Sequence, residues 1–257
     1  MTQEVNILDG LGTSDDIKDK GDFLGGYNPF ETDLYDFDVT AAYFSVAAGG
    51  AKCLNITLKA DKRELKQQLW VTSGTAKGGL PYYINQKTKD KEYLPGFIAA
   101  THLAKLTVGG KTLDKLIVEK RHIKLYNKEA KAEVPTEVLM CVEMLGKPVT
   151  AGVIKRLVDK NKDTGTVDAA GKKIYTATGE SRVENEVDKF FRTRDRMTVT
   201  EIEAKAEKAE FAARWLDRNF GQVQDRRTTN NGVAGVVGGG APVAPPAENA
   251  AVAGLFT

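Results

Sequence analysis

Between residues 34 and 71, hydrophobic and polar positions alternate with the period of two that marks a half-buried β-strand. Tyr35, Phe37, Val39, Ala41 and Tyr43 fall on one face of a first run. After a Gly49-Gly50 turn, Leu54, Ile56 and Leu58 share a face of a second run, and Leu65, Leu69 and Val71 share a face of a third. The pattern predicts a three-stranded antiparallel meander whose second turn, Ala60-Asp61-Lys62-Arg63, is short, charged and at the surface. Residues 73–93 break the alternation with Gly74, Gly78, Gly79 and Pro81 and then turn polar, which predicts a long basic loop bearing aromatics. Pro95-Gly96-Phe97 leads into Ile98, Ala99, Leu103 and Leu106, spaced for a short amphipathic helix that ends near Gly109-Gly110.

Residues 116–126 alternate again and predict a fourth strand carrying His122 and Lys124. The apolar run over 138–145 is open between helix and strand, because period alone does not decide so short a stretch. Residues 149–158 read as a strand, 159–173 as a hairpin loop rich in Lys, Asp and Gly, and 174–191 as the segment that closes the domain. Thr200 is placed to cap a helix, with Glu203 where a capping box requires it, Ile202, Ala206, Ala209, Ala213 and Leu216 at helical spacing, and Phe220-Gly221 at its end. Beyond Arg227 the chain is mostly Asn, Gly, Val, Ala and Pro, which offers no large side chains to bury and predicts disorder. The expected class is mainly β with α: an arm over 1–33, one domain over 34–226 with an inserted and a C-terminal helix, and a tail over 227–257.

Composition agrees with one domain and appendages, since 257 residues with 41% hydrophobic and 28% charged can bury a sizeable core. The net charge of +2 conceals a partition. Residues 1–40 hold ten acids against Lys18 and Lys20, net −8, and the tail from Thr228 holds only Glu248. Residues 41–227 therefore carry 35 bases and 24 acids, net +11, which suits a polyanionic partner. No stretch approaches the ~20 apolar residues of a membrane span, and the start lacks a basic region followed by an apolar run. The expectation is a cytoplasmic protein with no membrane contact. Cys53 and Cys141 stand alone and read as small core hydrophobes rather than a disulfide.

Little in the sequence supports catalysis. Gly109-Gly110-Lys111-Thr112 has the end of a phosphate-binding loop, but that motif needs a glycine where Lys105 stands and a strand before it. The turn closing a helix explains the same residues. His102, His122 and the two cysteines are scattered, so no metal set forms. Ser73 and Ser181 sit in no nucleophile elbow. The carboxylate pairs Glu184 with Glu186 and Glu201 with Glu203 read as solvated surface. No enzyme activity and no cofactor are expected. The positive signal is aromatics interleaved with cations: Trp70, Tyr82, Tyr83, Tyr93 and Phe97 among Lys62, Arg63, Lys66, Lys77, Lys87, Lys89 and Lys91. Holding a single strand without sequence preference requires π-faces for bases and cations for phosphates. Trp70 falls on the polar face of its strand, beside Lys66 and Gln68, either covered by the helix or serving as a platform.

The runs Leu69-Trp70-Val71-Thr72-Ser73-Gly74, Lys77-Gly78, Tyr82-Tyr83 and Tyr93-Leu94-Pro95-Gly96-Phe97 resemble bacteriophage single-stranded DNA-binding proteins of phage replication modules. Val134-Pro135-Thr136-Glu137-Val138, Thr178-Gly179-Glu180 and Asn185-Glu186-Val187-Asp188-Lys189-Phe190-Phe191 extend the likeness over about residues 34–226. The resemblance implies an OB-fold antiparallel barrel that coats unwound DNA during replication or recombination and works with the phage polymerase, with annealing a further role. It does not say which aromatics stack. Relatives of this broad class often end in an acidic tail closed by an aromatic residue. Here Leu255-Phe256-Thr257 closes the chain with Glu248 as the one acid nearby, so Leu255 and Phe256 are candidates for docking a replication protein.

The candidate site is therefore Lys62, Arg63, Lys66, Trp70, Lys77, Tyr82, Tyr83, Lys87, Lys89, Lys91 and Tyr93, with single-stranded DNA as partner and a homo-oligomer as an option. Two rival readings are a structural or adaptor protein of a replisome or virion, and a nuclease requiring a divalent metal. The tail reading has its own test. Removing the residues after Thr228 should leave the melting temperature almost unchanged in calorimetry. A drop of about 3 °C, equivalent to about 1 kcal/mol in a domain of this size, would mean that the tail packs on the body.

Overall fold

The meander forms where the alternation is. In the computed structural model, which describes residues 28–127, 130–167 and 173–228, the order is β1 (Asp33–Val46), β2 (Lys52–Ala60), β3 (Arg63–Trp70), β4 (Tyr82–Ile84), β5 (Lys91–Tyr93), α1 (Pro95–Thr107), β6 (Val118–Asn127), β7 (Ala132–Cys141), β8 (Pro148–Val167), β9 (Lys173–Phe191), α2 (Val199–Glu203), α3 (Phe211–Asn219) and β10 (Val223–Asp225). Most of the acidic arm and the tail beyond Thr228, with Leu255 and Phe256, lie outside the described residues. Leu54, Ile56, Leu58, Leu65 and Leu69 bury their side chains in one core, as their spacing requires.

On β1 the expected face holds only to Val39. The register against β2 slips between Val39, opposite Leu58, and Ala41, opposite Thr57, so Thr40 is an extra residue, a β-bulge. One extra residue inverts every later side chain. Phe37 and Val39 are buried before the bulge and Ala42 after it, with Phe44 packed on the core, while Ala41 and Tyr43 turn outward. The cause lies on the other edge of β1. Its first half pairs with β8, from Asp33 opposite Val153 to Asp38 opposite Pro148, and its second half pairs with β7 through Tyr43 and Phe44. Between them Val39 donates to the Lys147 carbonyl at 3.1 Å and accepts from the Gly146 amide at 2.8 Å.

The fourth strand appears as β6, which is hairpinned to β7. The undecided run over 138–145 is the end of β7 followed by a single 3₁₀ turn at Val142–Met144, with Cys141 and Met144 buried. Within the expected hairpin loop over 159–173, residues 159–167 and 173 are strand, and 168–172 lie outside the described residues. β8 and β9 stay paired from Thr150 opposite Phe191 out to Val167 opposite Lys173, with irregularities. A strand exposed on both faces needs no apolar alternation, and charges across it, Lys160 with Glu180 and Lys173 with Asp163, take the place of apolar pairs.

Pro95 sets the first turn of α1, and the helix buries Ala100, Leu103 and Ala104 against β3, β8 and β9. It enters so close to β3 that a Cβ on Gly96 would stand 2.4 Å from the Trp70 carbonyl oxygen. Its end is a glycine turn, the Gly110 amide donating to Lys105 O at 2.8 Å, which bears out the helix-closing reading of that motif. The C-terminal helix starts two residues before the expected cap and is broken. Thr198 Oγ1 accepts from the Glu201 amide at 3.2 Å, and Glu201 Oε2 accepts from the Thr198 amide at 2.9 Å. Glu201 Oε1 then accepts from the Glu210 and Phe211 amides at 2.8 and 2.7 Å, so one carboxylate serves the starts of α2 and α3. It is not solvated surface. The buried face of α3 is Ala212 and Trp215, not Ala213.

The sheet is predominantly antiparallel, with β10 parallel to β8. Among the described residues no backbone ladder joins β3 to β9, so the expected barrel is not closed there; Gln67 Oε1 accepts from the Val187 amide at 2.8 Å instead. No helix is long and apolar enough to cross a membrane among the described residues. The packing of α3 gives a prediction. Trp215 lies over Gly152, where a Cβ would meet its Cζ2 at 2.8 Å, and its Nε1 donates to Asp188 Oδ2 at 2.7 Å. Gly152→Ala should cost about 1–3 kcal/mol by overpacking, read as a lower urea midpoint. An unchanged midpoint would mean that the indole moves aside freely.

Candidate nucleic-acid interface

Glu64, Lys66, Gln68 and Trp70 alternate outward along β3, opposite Lys59, Thr57, Asn55 and Cys53 of β2, with Tyr43 and Ser45 of β1 next in line. The floor of this face is polar yet closed. Asn55 is buried; its Oδ1 accepts from Gln68 Nε2 at 3.1 Å and its Nδ2 donates to Ser45 Oγ at 2.7 Å. A satisfied amide of this kind fixes three strands relative to one another. Cys53 is fully buried opposite Trp70, and burial pushes its thiol up to about 11. Cys141 is buried and shifted likewise, so both cysteines are the small core hydrophobes their isolation indicated. Trp70 is not covered by the helix: it is 42% exposed.

The expected basic loop is an ordered hairpin. After a 3₁₀ turn at Thr75–Lys77, β4 and β5 pair Tyr82 with Tyr93, Tyr83 with Glu92 and Ile84 with Lys91. Its root is tied down by Leu94 N donating to Pro81 O at 2.8 Å, and by Thr75 N donating to Gly49 O at 2.9 Å in the β1–β2 turn. Near its tip Glu92 gathers the Tyr83 hydroxyl at 2.5 Å and the Asn85 amide at 2.6 Å. Lys89 sits at the tip with a φ of 66°, a left-handed conformation.

Each aromatic of the hairpin has one side engaged. Lys91 Nζ lies 5.1 Å from the Tyr82 ring centroid, a cation–π distance. Tyr93 stacks on Phe97 with centroids 4.9 Å apart and planes at 26°, and Phe97 is in turn packed on the core. The other face of Tyr93 is open, the residue being 57% exposed. Gly96 holds the same segment against the backbone of Trp70. Trp70, Tyr82 and Tyr93 thus lie near one end of β3, with Tyr83 and Lys91 further along the hairpin and Lys87 and Lys89 at its tip.

Other members of the expected set stand apart. Lys66 is about 13 Å along the strand from Trp70, and Lys62 and Arg63 are at the opposite end, about 23 Å away or more. Arg63 also has a structural role, its guanidinium lying 4.0 Å from the Phe30 ring centroid and 5.6 Å from that of Tyr35. Among the described residues every ion pair uses a cation from Lys105 onward. Among the described residues, none of the nine cations from Lys52 to Lys91 is in an ion pair. Sequence reasoning missed Tyr43, because the bulge that turns it outward leaves no mark in the alternation. Phe97, named among the interleaved aromatics but left out of the candidate site, is the partly buried partner of the Tyr93 stack. No family model, curated protein or solved structure matches the chain.

The hydrogen bonds from Tyr83 and Asn85 hold the Glu92 carboxyl below its ordinary range. A lowered folded pKa means that this interaction is present above the unfolded value and fades as pH falls through the folded one. Tyr83→Phe should move the Glu92 titration, followed by carboxyl NMR, up toward the ordinary ~4.3. An unmoved titration would show that the hydroxyl contributes nothing to the tip.

Proposed function

We propose that this chain is a non-enzymatic, sequence-independent single-stranded DNA-binding protein that coats unwound DNA in phage-type replication or recombination. The observation that carries the reading is the coincidence of unpaired cations with backed, half-exposed aromatics at one end of β3. Unpaired lysines exchange condensed counterions for protein charge when they meet phosphates. Aromatic faces held on their far side lose little freedom when a base stacks on them, a contact worth about 1–3 kcal/mol per base. The finer fold reading is an OB-type barrel left partly open between β3 and β9. It is supported by a first strand shared between partners, a helix after the third strand, and the use of the strand 2–3 face in that fold for oligonucleotides.

A protein-facing role has one observation of its own. Val118 and Leu139, on one face of the β6–β7 hairpin, are exposed together with Ile117 and Leu145. An apolar patch there suits a replisome protein rather than nucleic acid. Fluorescence anisotropy with single-stranded DNA, duplex DNA and RNA at two salt concentrations separates the readings. Absence of salt-sensitive binding to any of them would leave the protein-facing role.

Within the leading reading, charge and stacking should separate. Replacing Lys87, Lys89 and Lys91 with Gln should flatten the salt dependence by about 0.7 per lost phosphate contact. Trp70→Ala or Tyr93→Ala should cost about 1–3 kcal/mol of binding and leave the slope intact. Thermal melts of the same variants control for folding. If Trp70→Ala, Tyr93→Ala and the Tyr82 and Tyr83 counterparts all bind like the parent, the stacking surface lies elsewhere.

A further inference from the structure

The hydrogen bonds of the floor beside Trp70 run in one direction. The Tyr43 carbonyl can only accept, and it takes a hydrogen bond from Asn55 Nδ2 at 3.4 Å, while the same nitrogen donates to Ser45 Oγ at 2.7 Å. The Asn55 amide is thereby turned with Oδ1 toward β3, where it accepts from Gln68 Nε2 at 3.1 Å. Gln68 must therefore present its nitrogen to Asn55. Its Oε1 and the second hydrogen of Nε2 are left over, and among the described residues neither has a partner. The neighbouring Gln67 differs, because its Oε1 is taken up by the Val187 amide.

Gln68 is exposed on the outward face of β3, two residues and so about 7 Å along the strand from Trp70. The surface around its amide is polar and uncharged. Asn55 lies opposite it and Tyr43 next across, with Cys53 and Ser45 in the row of Trp70. Along the strand Lys66 is about 7 Å away and Glu64 about 13 Å. Gln68 also borders the open seam toward β9, where Glu184 and Glu186 are engaged by Arg182 and Arg156. A phosphate finds no cation at this amide. A base finds an acceptor and a donor side by side, and the Watson–Crick edge of each of the four bases carries a donor next to an acceptor. Those edges are open to protein only in a strand that is not paired.

We infer that Gln68 hydrogen-bonds the Watson–Crick edge of the base beside the one stacked on Trp70, so that the site takes any base but only an unpaired one. The inference rests on the DNA-binding reading and adds to it a residue that tells single strand from duplex. Because Asn55 already holds the amide, the contact costs little side-chain freedom. The test compares, by fluorescence anisotropy on the full chain, an oligothymidylate with a strand of equal length built from N3-methylthymidine, in which a methyl group replaces the N3 hydrogen. The parent should bind the unmodified strand roughly three- to tenfold more tightly, the worth of one hydrogen bond. Gln68→Met keeps the length of the side chain and removes the amide, and it should bind the two strands alike. The same substitution should weaken binding of an oligodeoxycytidylate by a similar factor; a loss confined to thymidine overturns the indifference to base. Equal binding of the two thymidine strands by the parent overturns the inference and leaves the DNA-binding reading in place. So does a Gln68→Met variant that is weakened toward both by one factor, since that is the behaviour of a residue that only supports Asn55. Binding of neither strand by the parent overturns the DNA-binding reading and this inference with it.

Discussion

One edge of β1 is shared by two strands. β8 takes the half before Val39 and β7 the half after it, and the 146–147 segment fills the join by bonding both polar atoms of Val39. β2, on the opposite edge, is the one partner β1 keeps from Asp38 to Val46, on both sides of the bulge. A flat strand cannot satisfy diverging partners on one side and a continuous one on the other. The extra residue at Thr40 resolves the conflict by bending the strand and adding twist. From that bend follow the inversion that turns Tyr43 outward, its place beside Asn55, and the departure of the β6–β7 hairpin from the line of β8 and β9.

Where a strand buries one face along its whole length, the alternation is readable, and β2 and β3 lie where it puts them. It fails where another constraint outranks burial. Thr40 has no sequence mark, because its insertion answers a need set by β7 and β8, which lie far along the chain. The arms over 159–167 and 173–182 have no buried face at all, so hydrophobic period cannot reveal them. At the C-terminus Thr198 and Thr200 both precede a glutamate three residues on. What decides is that Glu201, and not Glu203, also reaches the amides that open α3.

The candidate site was legible as a list of residues and not as a surface. Aromatics and lysines interleaved over 70–93 do converge, because the segment folds back on itself as a hairpin and Gly96 brings its end against Trp70. Nearness in sequence misled at Lys62 and Arg63. An extended strand carries them away from Trp70 at more than 3 Å per residue, and Phe30, remote in sequence, takes the guanidinium. Side chains that work through a neighbour are the hardest to read. Tyr93 keeps one open face in a fixed orientation only because Phe97 stacks on the other, and Tyr83 is fixed only because Glu92 accepts its hydroxyl.

Net charge is a poor guide to where a polyanion would sit on this molecule, and the pairing pattern is a better one. The C-terminal part of the fold carries many cations, but its long exposed strands hold several of them against carboxylates across the ladder, as in Lys160 with Glu180 and Lys173 with Asp163. A phosphate arriving there would have to displace an existing partner, which leaves little net gain. Among the described residues the lysines from Lys52 to Lys91 have no ion-pair partner to lose. Their potential extends into solvent over the Debye length, about 8 Å at physiological salt, so Lys62 and Arg63, about 23 Å or more from Trp70 and interleaved with Asp61 and Glu64, form a group separate from the lysines of the β4–β5 hairpin. The backed aromatic faces lie open beside that hairpin group.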